Sequence, residues 1–260
     1  MGGAALPERA LRMSIRRFMI NSRSILDGSA ALDGELFRHI VRVLRLSPGD
    51  PLTLVDERGG EHDGVIDRVD KDLVTVKITR SDHAPIQDNT GLRLTVCQAL
   101  PKGEKIDLIL QKGTELGAHD FWLFGGHRSI ARVRAEQRDA KLERWSRIVT
   151  EAARQCGRRT IPAVRWYPTA VEAAAASSHD LRLLLWEDER TRRLNETLAG
   201  TAPPGSAIVS IGPEGGFDPH ETELFVKQGF QTVSLGSRIL RTETAAIAIT
   251  AILQYIYGDL

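Results

Sequence analysis

Cysteine is scarce in this sequence, with Cys97 and Cys156 the two residues of this type among 260. No Cys/His cluster has zinc spacing, so we expect no bound metal, and we do not expect a disulfide. No apolar run reaches the ~18 residues of a membrane span, and residues 1–12 lack the apolar core of a signal peptide. We therefore expect a cytoplasmic protein that contacts no membrane, with Met13 as an alternative start.

Two familiar nucleotide-binding motifs are also missing. The sequence contains no G-x-x-x-x-G-K-[ST] segment, which disfavours a P-loop. It contains no G-x-G-x-x-G after the first strand of its α/β region, which disfavours an ordinary dinucleotide fold. A nucleotide-like ligand would therefore need a different kind of loop.

The size and charge of the chain leave several partners open. With 260 residues and 42% apolar content, it can form one large or two modest domains. The formal net charge of +1 indicates no partner, but residues 1–45 hold eight arginines and four acidic residues. This excess fits either a nucleic-acid surface or an ordinary solvated face.

The first part of the chain has the pattern of a small β-barrel-like domain. Short alternating runs between residues 14 and 80 are separated by turn signals. Residues 34–50 predict a short helix with apolar Leu36, Ile40, Val43 and Leu44, closed by a turn. The polar stretch 81–90 is the best linker candidate, and we place this domain at residues 14–82.

From Gly91 the pattern changes to alternating strands and helices. Strands are predicted in "LRLTVCQAL", "DFWLFGG", "LRLLLWE", "AIVSIG" and "QTVSLG", with helices between or after them. Asp218, Pro219 and Glu221 have the spacing of a helix start, with aspartate at the N-cap and proline at the first position. This alternation predicts an α/β domain with a largely parallel sheet at residues 90–260.

Three predicted strand ends carry unusual sequence. They are "LLLWEDE", "IVSIGPEGGF" and "VSLGSRILRTETAA". In open α/β sheets ligands bind outside the carboxyl ends of strands. Gly212, Gly215 and Gly216 would let the backbone approach a flat ligand such as adenine. Taken alone, the Gly-Pro-Glu-Gly turn also fits a tight surface turn.

The combination "IGPEGGF" followed by "LGSRILRTETAA" resembles the signature of the SPOUT methyltransferases. The whole arrangement is similar to the RsmE family, which methylates N3 of a uridine in small-subunit ribosomal RNA. Further matching pieces are "RRF", "HIVRVLRLSPGD", "KGTELG" and "EAARQCGRRTIPAV". The resemblance covers about residues 14–260, and residues 1–12 look like an extension outside it.

The resemblance implies a fold, a cofactor and partners. It implies a PUA-like RNA-binding β-barrel domain, followed by an α/β SPOUT domain with a C-terminal trefoil knot. It implies S-adenosylmethionine as methyl donor, a homodimer, and as target a uridine in the decoding region of 16S ribosomal RNA, within the assembled small subunit. The helix at residues 245–257, apolar on nearly all sides, is consistent with a buried dimer surface.

The chemistry and the resemblance together indicate site residues. N3 of uracil must lose a proton, so the site needs a proton acceptor and a group that stabilises the developing anion. We expect Arg241 to stabilise the anion, and Glu214 to position groups or accept the proton; bracing of the loop by Glu214 remains an alternative. The expected cofactor-binding residues are Leu185, Trp186, Glu187, Ile211, Gly212, Pro213, Gly216, Leu235, Gly236, Ile239, Leu240 and Thr242. The expected RNA-binding residues are Arg16, Arg17, Arg42, Arg45, Lys102, Lys112, Arg154 and Arg158.

Three other functions stay open at this point. Ribose 2′-O-methylation and methylation of transfer RNA would use the same fold. A ribosome-assembly factor without catalysis would use the barrel alone, although an intact cofactor loop argues weakly against it.

Overall fold

The computed structural model describes residues 16–56, 59–82, 91–158, 160–200 and 202–260. The predicted extension at residues 1–12 and the predicted start at Met13 lie outside these ranges. The chain divides into two compact units: residues 1–87 with 157–160, and residues 88–156 with 161–260. Within the described residues, no helix has the length and apolar character needed to cross a membrane, and no group of three potential metal ligands was found.

The first unit is built on one mixed six-stranded sheet. Its order is β1-β4-β5-β6-β3-β2, in which β1 pairs with β4 in parallel and the other neighbours are antiparallel. The buried side chains, Leu32, Leu54 and Val76 among them, form one core, and in β3 they alternate with exposed residues. The strands are Arg16–Met19 (β1), Ile25–Leu26 (β2), Ser29–Asp33 (β3), Pro51–Val55 (β4), Glu61–Val69 (β5) and Leu73–Asp82 (β6).

The predicted helix of this unit differs in detail from the expectation. A short α-helix, α1 (Gly34–Phe37), continues as a π-helix over Arg38–Val43, with the Leu44 N–H bonded to the His39 carbonyl at 2.9 Å. The wider π turn changes which side chains face the core. Of the apolar residues in this segment, Ile40 is fully buried, whereas Val43 is 67% exposed.

The second unit contains a six-stranded sheet that is parallel throughout. The order is β12-β10-β11-β7-β8-β9. The strands run over Arg93–Ala99 (β7), Asp120–Phe124 (β8), Ala163–Tyr167 (β9), Leu181–Leu185 (β10), Ser206–Ile211 (β11) and Gln231–Val233 (β12). The helices are Lys105–Glu115 (α2), Arg138–Cys156 (α3), Ala170–Ala175 (α4), Leu194–Leu198 (α5), Pro219–Lys227 (α6) and Thr242–Tyr257 (α7).

Helices cover both faces of this sheet, which explains the long apolar runs of its strands. One core joins Val96 and Val209 to helices α2, α3 and α7, and a second joins Phe124 and Ile208 to α4 and α6. The predicted parallel α/β architecture is confirmed. Strand β9 is an addition to the prediction: it lies at the sheet edge and its residues are partly exposed, so it lacks the apolar run of the inner strands.

The start of helix α6 and the strand order at the end of the chain bear on two predictions for this unit. Helix α6 begins as predicted, with the Asp218 side chain at the N-cap, Pro219 first, and Glu221 completing a capping box. The strand order places β10 between β11 and β12, so the chain crosses over β10 as it passes from β11 to β12. The trefoil knot implied by the resemblance stays a prediction.

Candidate functional site

A cavity of about 850 Å³ lies at the carboxyl ends of the neighbouring strands β10, β11 and β12. All three predicted strand-end loops contribute to its wall. The cavity contains every residue expected to bind the cofactor, from Leu185 to Thr242, together with Glu214 and Arg241. The structure therefore brings these residues together in one place, as expected for ligands of an open α/β sheet.

The Gly-Pro-Glu-Gly-Gly loop after β11 is compact and leaves little room for side chains at its glycines. The Gly216 N–H donates to the Pro213 carbonyl at 3.0 Å, and Gly216 has a φ of +67°. A Cβ on Gly216 would lie 1.6 Å from a carboxylate oxygen of Glu187. A Cβ on Gly212 would lie 3.2 Å from the Gly216 backbone. The loop thus presents bare backbone to the cavity.

Gln98 is a site residue that the sequence analysis missed. It is fully buried near the end of β7. Its Nε2 donates to the Thr242 hydroxyl at 2.9 Å and to the Gly212 carbonyl at 3.2 Å. Thr242 in turn donates to the Gly212 carbonyl at 2.6 Å. A single amide in the apolar run "LRLTVCQAL" was the signal that could have identified it, because a buried amide needs partners.

Glu214 is held by two lysine residues at the edge of the cavity. Its Oε1 accepts from the Lys105 ammonium at 2.7 Å and from the Lys102 backbone N–H at 3.1 Å. Partial burial acts to raise the pKa of Glu214, but the hydrogen bonds from Lys105, its own backbone and Lys102 outweigh it and hold the pKa below its usual range. Glu214 is therefore ionised at neutral pH. Lys105 also lies 3.8 Å from Glu243.

Glu189 organises the loop after β10 and was also missed. Its Oε2 accepts from the Thr232 hydroxyl on β12 at 2.6 Å, and its Oε1 accepts from the N–H groups of Thr191 and Arg192. The hydrogen bond from Thr232 is the largest influence and lowers the pKa of Glu189 to about 2. The carboxylate thus fixes one wall of the cavity.

Arg241 stands at the start of helix α7 and lines the cavity. Its carbonyl accepts from the Ala245 N–H at 2.8 Å, which begins the helix. Arg241 and Arg238 are both exposed, and neither side chain has a hydrogen-bond or ion-pair partner in the described part of the chain. The guanidinium of Arg241 is therefore available to a ligand, while its backbone is fixed by the helix.

The expected RNA-binding residues do not line the cavity. Three of them have carboxylate partners: Arg17 with Glu61 at 2.9 Å, Lys112 with Glu115 at 2.8 Å, and Arg154 with Glu151 at 2.5 Å. Arg16 donates to the Leu44 carbonyl at 3.3 Å. The side chains of Arg42, Arg45 and Lys102 are exposed.

Two family models match the chain. Residues 88–254 match a model described as an RNA methyltransferase domain, and residues 32–79 match one described as an RNA methyltransferase PUA domain. The second unit thus carries the methyltransferase match, and the predicted PUA-like and SPOUT-type architecture is confirmed.

Named relatives agree with these models. Ribosomal RNA small subunit methyltransferase E of Bacillus subtilis is 30% identical over 86% of this chain and 89% of its own length. The Synechocystis protein of the same name is 33% identical over 88% of this chain and 74% of its own length. The Neisseria gonorrhoeae protein of that name, solved with S-adenosyl methionine, has a TM-score of 0.80 at 31% identity, covering 95% of this chain and 99% of its own. The chain belongs to the RNA methyltransferase family of ribosomal RNA small subunit methyltransferase E.

Proposed function

We propose that this protein transfers a methyl group from S-adenosylmethionine to N3 of a uridine in the decoding region of 16S ribosomal RNA, in the cytoplasm. The observation that carries the proposal is the cavity at the ends of β10, β11 and β12, which combines a glycine-lined wall with the unpaired guanidinium of Arg241. Family membership and the cofactor of the Neisseria gonorrhoeae relative support it.

The cavity fits the proposed cofactor. Its glycine loop exposes backbone N–H and C=O groups for the edges of adenine, while Leu240 and Trp186 offer apolar contact. Glu187 and Glu189 place carboxylates in the wall, which suits a cationic ligand. The cofactor supplies an electrophilic methyl group on a sulfonium.

Arg241 is proposed to stabilise the transition state. As the N3 proton of uracil leaves, negative charge develops on the neighbouring carbonyl oxygens. A guanidinium presents two N–H donors in a fixed plane, and the helix start fixes the backbone from which this one projects. Because it has no carboxylate partner among the described residues, its charge is not already neutralised.

Glu214 is proposed to position the site. Its contacts favour the alternative in which it braces the glycine loop over proton acceptance, since a carboxylate with a lowered pKa is a weak base. Its hydrogen bonds join Lys102 and the first residue of helix α2, Lys105, to the glycine loop. The proposed role is to keep that loop, and with it the cofactor cradle, in place.

The RNA surface is proposed to include exposed cations of both units. Arg16, Arg42 and Arg45 in the first unit have no carboxylate partner among the described residues, which leaves their charge available to phosphates. Arg17, Lys112 and Arg154 are part of the same proposal, but each shares its charge with a neighbouring acid.

A homodimer is part of the proposal, on the basis of helix α7. Ile252, Tyr255 and Ile256 are spaced to share one face of this helix and are 36%, 77% and 46% exposed. A contiguous exposed apolar face of this kind favours association with a second copy. Sedimentation should show a dimer that Tyr255→Glu weakens, whereas Val226→Glu, a matched change on helix α6, leaves it intact. A wild-type monomer would contradict this part of the proposal.

Methyl transfer is tested with radiolabelled S-adenosylmethionine and small ribosomal subunits from a strain that lacks this gene. Mass spectrometry of the digested RNA should find a single methylated uridine that matches a standard methylated at N3. Methylation of a ribose hydroxyl, or of transfer RNA alone, would replace the proposal by one of the alternatives. Binding to RNA without any methyl transfer would support a non-catalytic assembly role.

A further inference from the structure

The loop that leaves strand β8 carries a cluster of basic residues that the sequence analysis did not single out. Residues 125–134 read "GGHRSIARVR", and we call them the β8 loop. His127, Arg128, Arg132 and Arg134 are exposed, and Ile130 between them is 71% exposed. The loop begins at the carboxyl end of β8, so it lies at the same edge of the sheet as the cavity.

Hydrogen bonds hold the first half of the β8 loop in place. The Ser129 N–H donates to the Gly126 carbonyl at 3.0 Å, and the Ser129 hydroxyl accepts from the Gly126 N–H at 3.2 Å. Glu221 is 7% exposed, and its two oxygens accept from the N–H groups of His127 at 2.7 Å and Asp218 at 3.2 Å. A buried carboxylate therefore joins this loop to the start of helix α6.

The β8 loop packs directly on the glycine loop of the cavity. The Arg128 guanidinium donates to the Gly215 carbonyl at 3.2 Å, and a Cβ on Gly215 would lie 3.3 Å from the Arg128 side chain. Gly215 itself lines the cavity. Arg128 thus lies beside the cavity wall, and Arg132 and Arg134 follow it in the same loop.

The charges in this loop divide into two groups. Arg128 lies 3.8 Å from Asp218, so it has a local partner and acts as an anchor. Arg132 donates to the His127 carbonyl at 3.4 Å and has no carboxylate partner within the described ranges. Arg134 likewise has no side-chain partner among the residues that the structure describes. Two arginine charges of this loop therefore have no carboxylate partner among the described residues.

We propose that Arg132 and Arg134 of the β8 loop bind phosphates of the RNA substrate next to the target nucleotide. This inference rests on the proposed function, because it assigns a substrate contact to the same site. A nucleotide whose base enters the cavity must carry its backbone across the rim. Guanidinium groups suit phosphate oxygens through their planar fork of donors, and contacts of this kind set register without reading sequence.

The test compares an Arg132→Gln/Arg134→Gln variant with an Arg93→Gln/Lys227→Gln control. The control removes the same charge from exposed residues at the start of β7 and the end of helix α6, which lie at the opposite edge of the sheet. Affinity for protein-free small-subunit ribosomal RNA is measured as salt is varied. The β8-loop variant should lower the slope of log affinity against log salt by about 1 to 2, and the control should leave it near the wild-type value.

Two further measurements keep this proposal separate from the proposed function. Affinity for S-adenosylhomocysteine should be unchanged in the β8-loop variant, and an Arg132→Lys/Arg134→Lys variant should recover most of the slope. If the wild-type protein methylates RNA but the glutamine variant keeps the full slope, the β8-loop proposal alone is overturned. A loss seen with assembled subunits but not with bare RNA would assign the loop to a ribosomal protein and would overturn it as well.

Discussion

The side-chain amide of Gln98 donates a hydrogen bond of 2.9 Å to the hydroxyl of Thr242, although the two residues are 144 positions apart in sequence. The same amide reaches the Gly212 carbonyl at 3.2 Å. Three elements therefore meet at one buried group: the end of β7, the glycine loop after β11, and the first turn of helix α7. Because Arg241 immediately precedes Thr242, this contact also fixes the start of helix α7, next to Arg241.

Replacing Gln98 with leucine should affect both stability and cofactor binding. Leaving buried partners without their hydrogen bonds costs about 1 to 3 kcal/mol of unfolding free energy. Gln254→Leu is the matched control, since Gln254 is also fully buried and donates to the Gly117 carbonyl, away from the cavity. Both variants should be destabilised in urea, but calorimetry should show weaker binding of S-adenosylhomocysteine in Gln98→Leu alone. Equal affinities of the two variants for S-adenosylhomocysteine would show that Gln98 does not support the cofactor site.

Gly236→Val should abolish binding of S-adenosylhomocysteine. Gly236 lines the cavity, and a Cβ there would meet no protein atom within 4 Å, so a valine side chain would enter the space of the ligand. Its φ of +124° adds backbone strain, which Gly49→Val reproduces at a φ of +96° in the first unit. The two variants should lose comparable stability in thermal unfolding. Unchanged cofactor affinity in Gly236→Val would place the ligand elsewhere.

The ion pair between Glu214 and Lys105 gives a way to separate positioning from proton transfer. If Glu214 positions the loop through Lys105, then Glu214→Gln and Lys105→Met should reduce the single-turnover rate by similar factors, less than about tenfold for a partly exposed pair. The double variant should then be little worse than either single variant. A loss of several orders of magnitude in Glu214→Gln alone would make Glu214 the proton acceptor.

His179 should make the unfolding free energy depend on pH. Burial is the main reason that its pKa is lowered from 6.5 to about 4, and its ring lies between the hydroxyls of Thr95 and Ser177. Asp120 and Asp180 act to raise this pKa, whereas Arg182 and Arg93 act to lower it.

The direction of this pH dependence follows from the protonation of His179 in the folded and unfolded chains. The unfolded chain takes up the proton near pH 6.5 and the folded chain only near pH 4, so stability is full above pH 6.5 and is lost between these values. In His179→Gln, the unfolding free energy measured with denaturant should fall less between pH 6.5 and pH 4 than in the wild-type protein. An imidazole that titrates near 6.5 in NMR spectra of the folded protein would refute the assignment.

The sequence was most informative where local signals agreed. The apolar runs of β7, β8, β10 and β11 and the capping residues of helix α6 predicted their elements directly. The loops of the cavity could be predicted as well, because strand ends of a parallel sheet meet at one edge.

Other features depend on contacts between distant residues. Gln98 looks like any buried amide until Thr242 and Gly212 are placed beside it. The π turn at Arg38–Val43 leaves the apolar side chain of Val43 exposed, and no local pattern in the sequence signalled this turn. Edge strand β9 has half-exposed side chains, so its sequence carries little periodic signal.

The central claim is that Arg241 stabilises charge on the target uracil, and Arg241→Lys tests it most directly. Lysine keeps the charge but lacks the planar fork, so the single-turnover rate at saturating RNA should fall by ~10²–10³. Affinities for S-adenosylhomocysteine and for RNA should stay close to wild type, and raising the pH should partly restore the rate because more uracil is already deprotonated. A variant that keeps its single-turnover rate, or that loses cofactor or RNA affinity instead, would contradict the account.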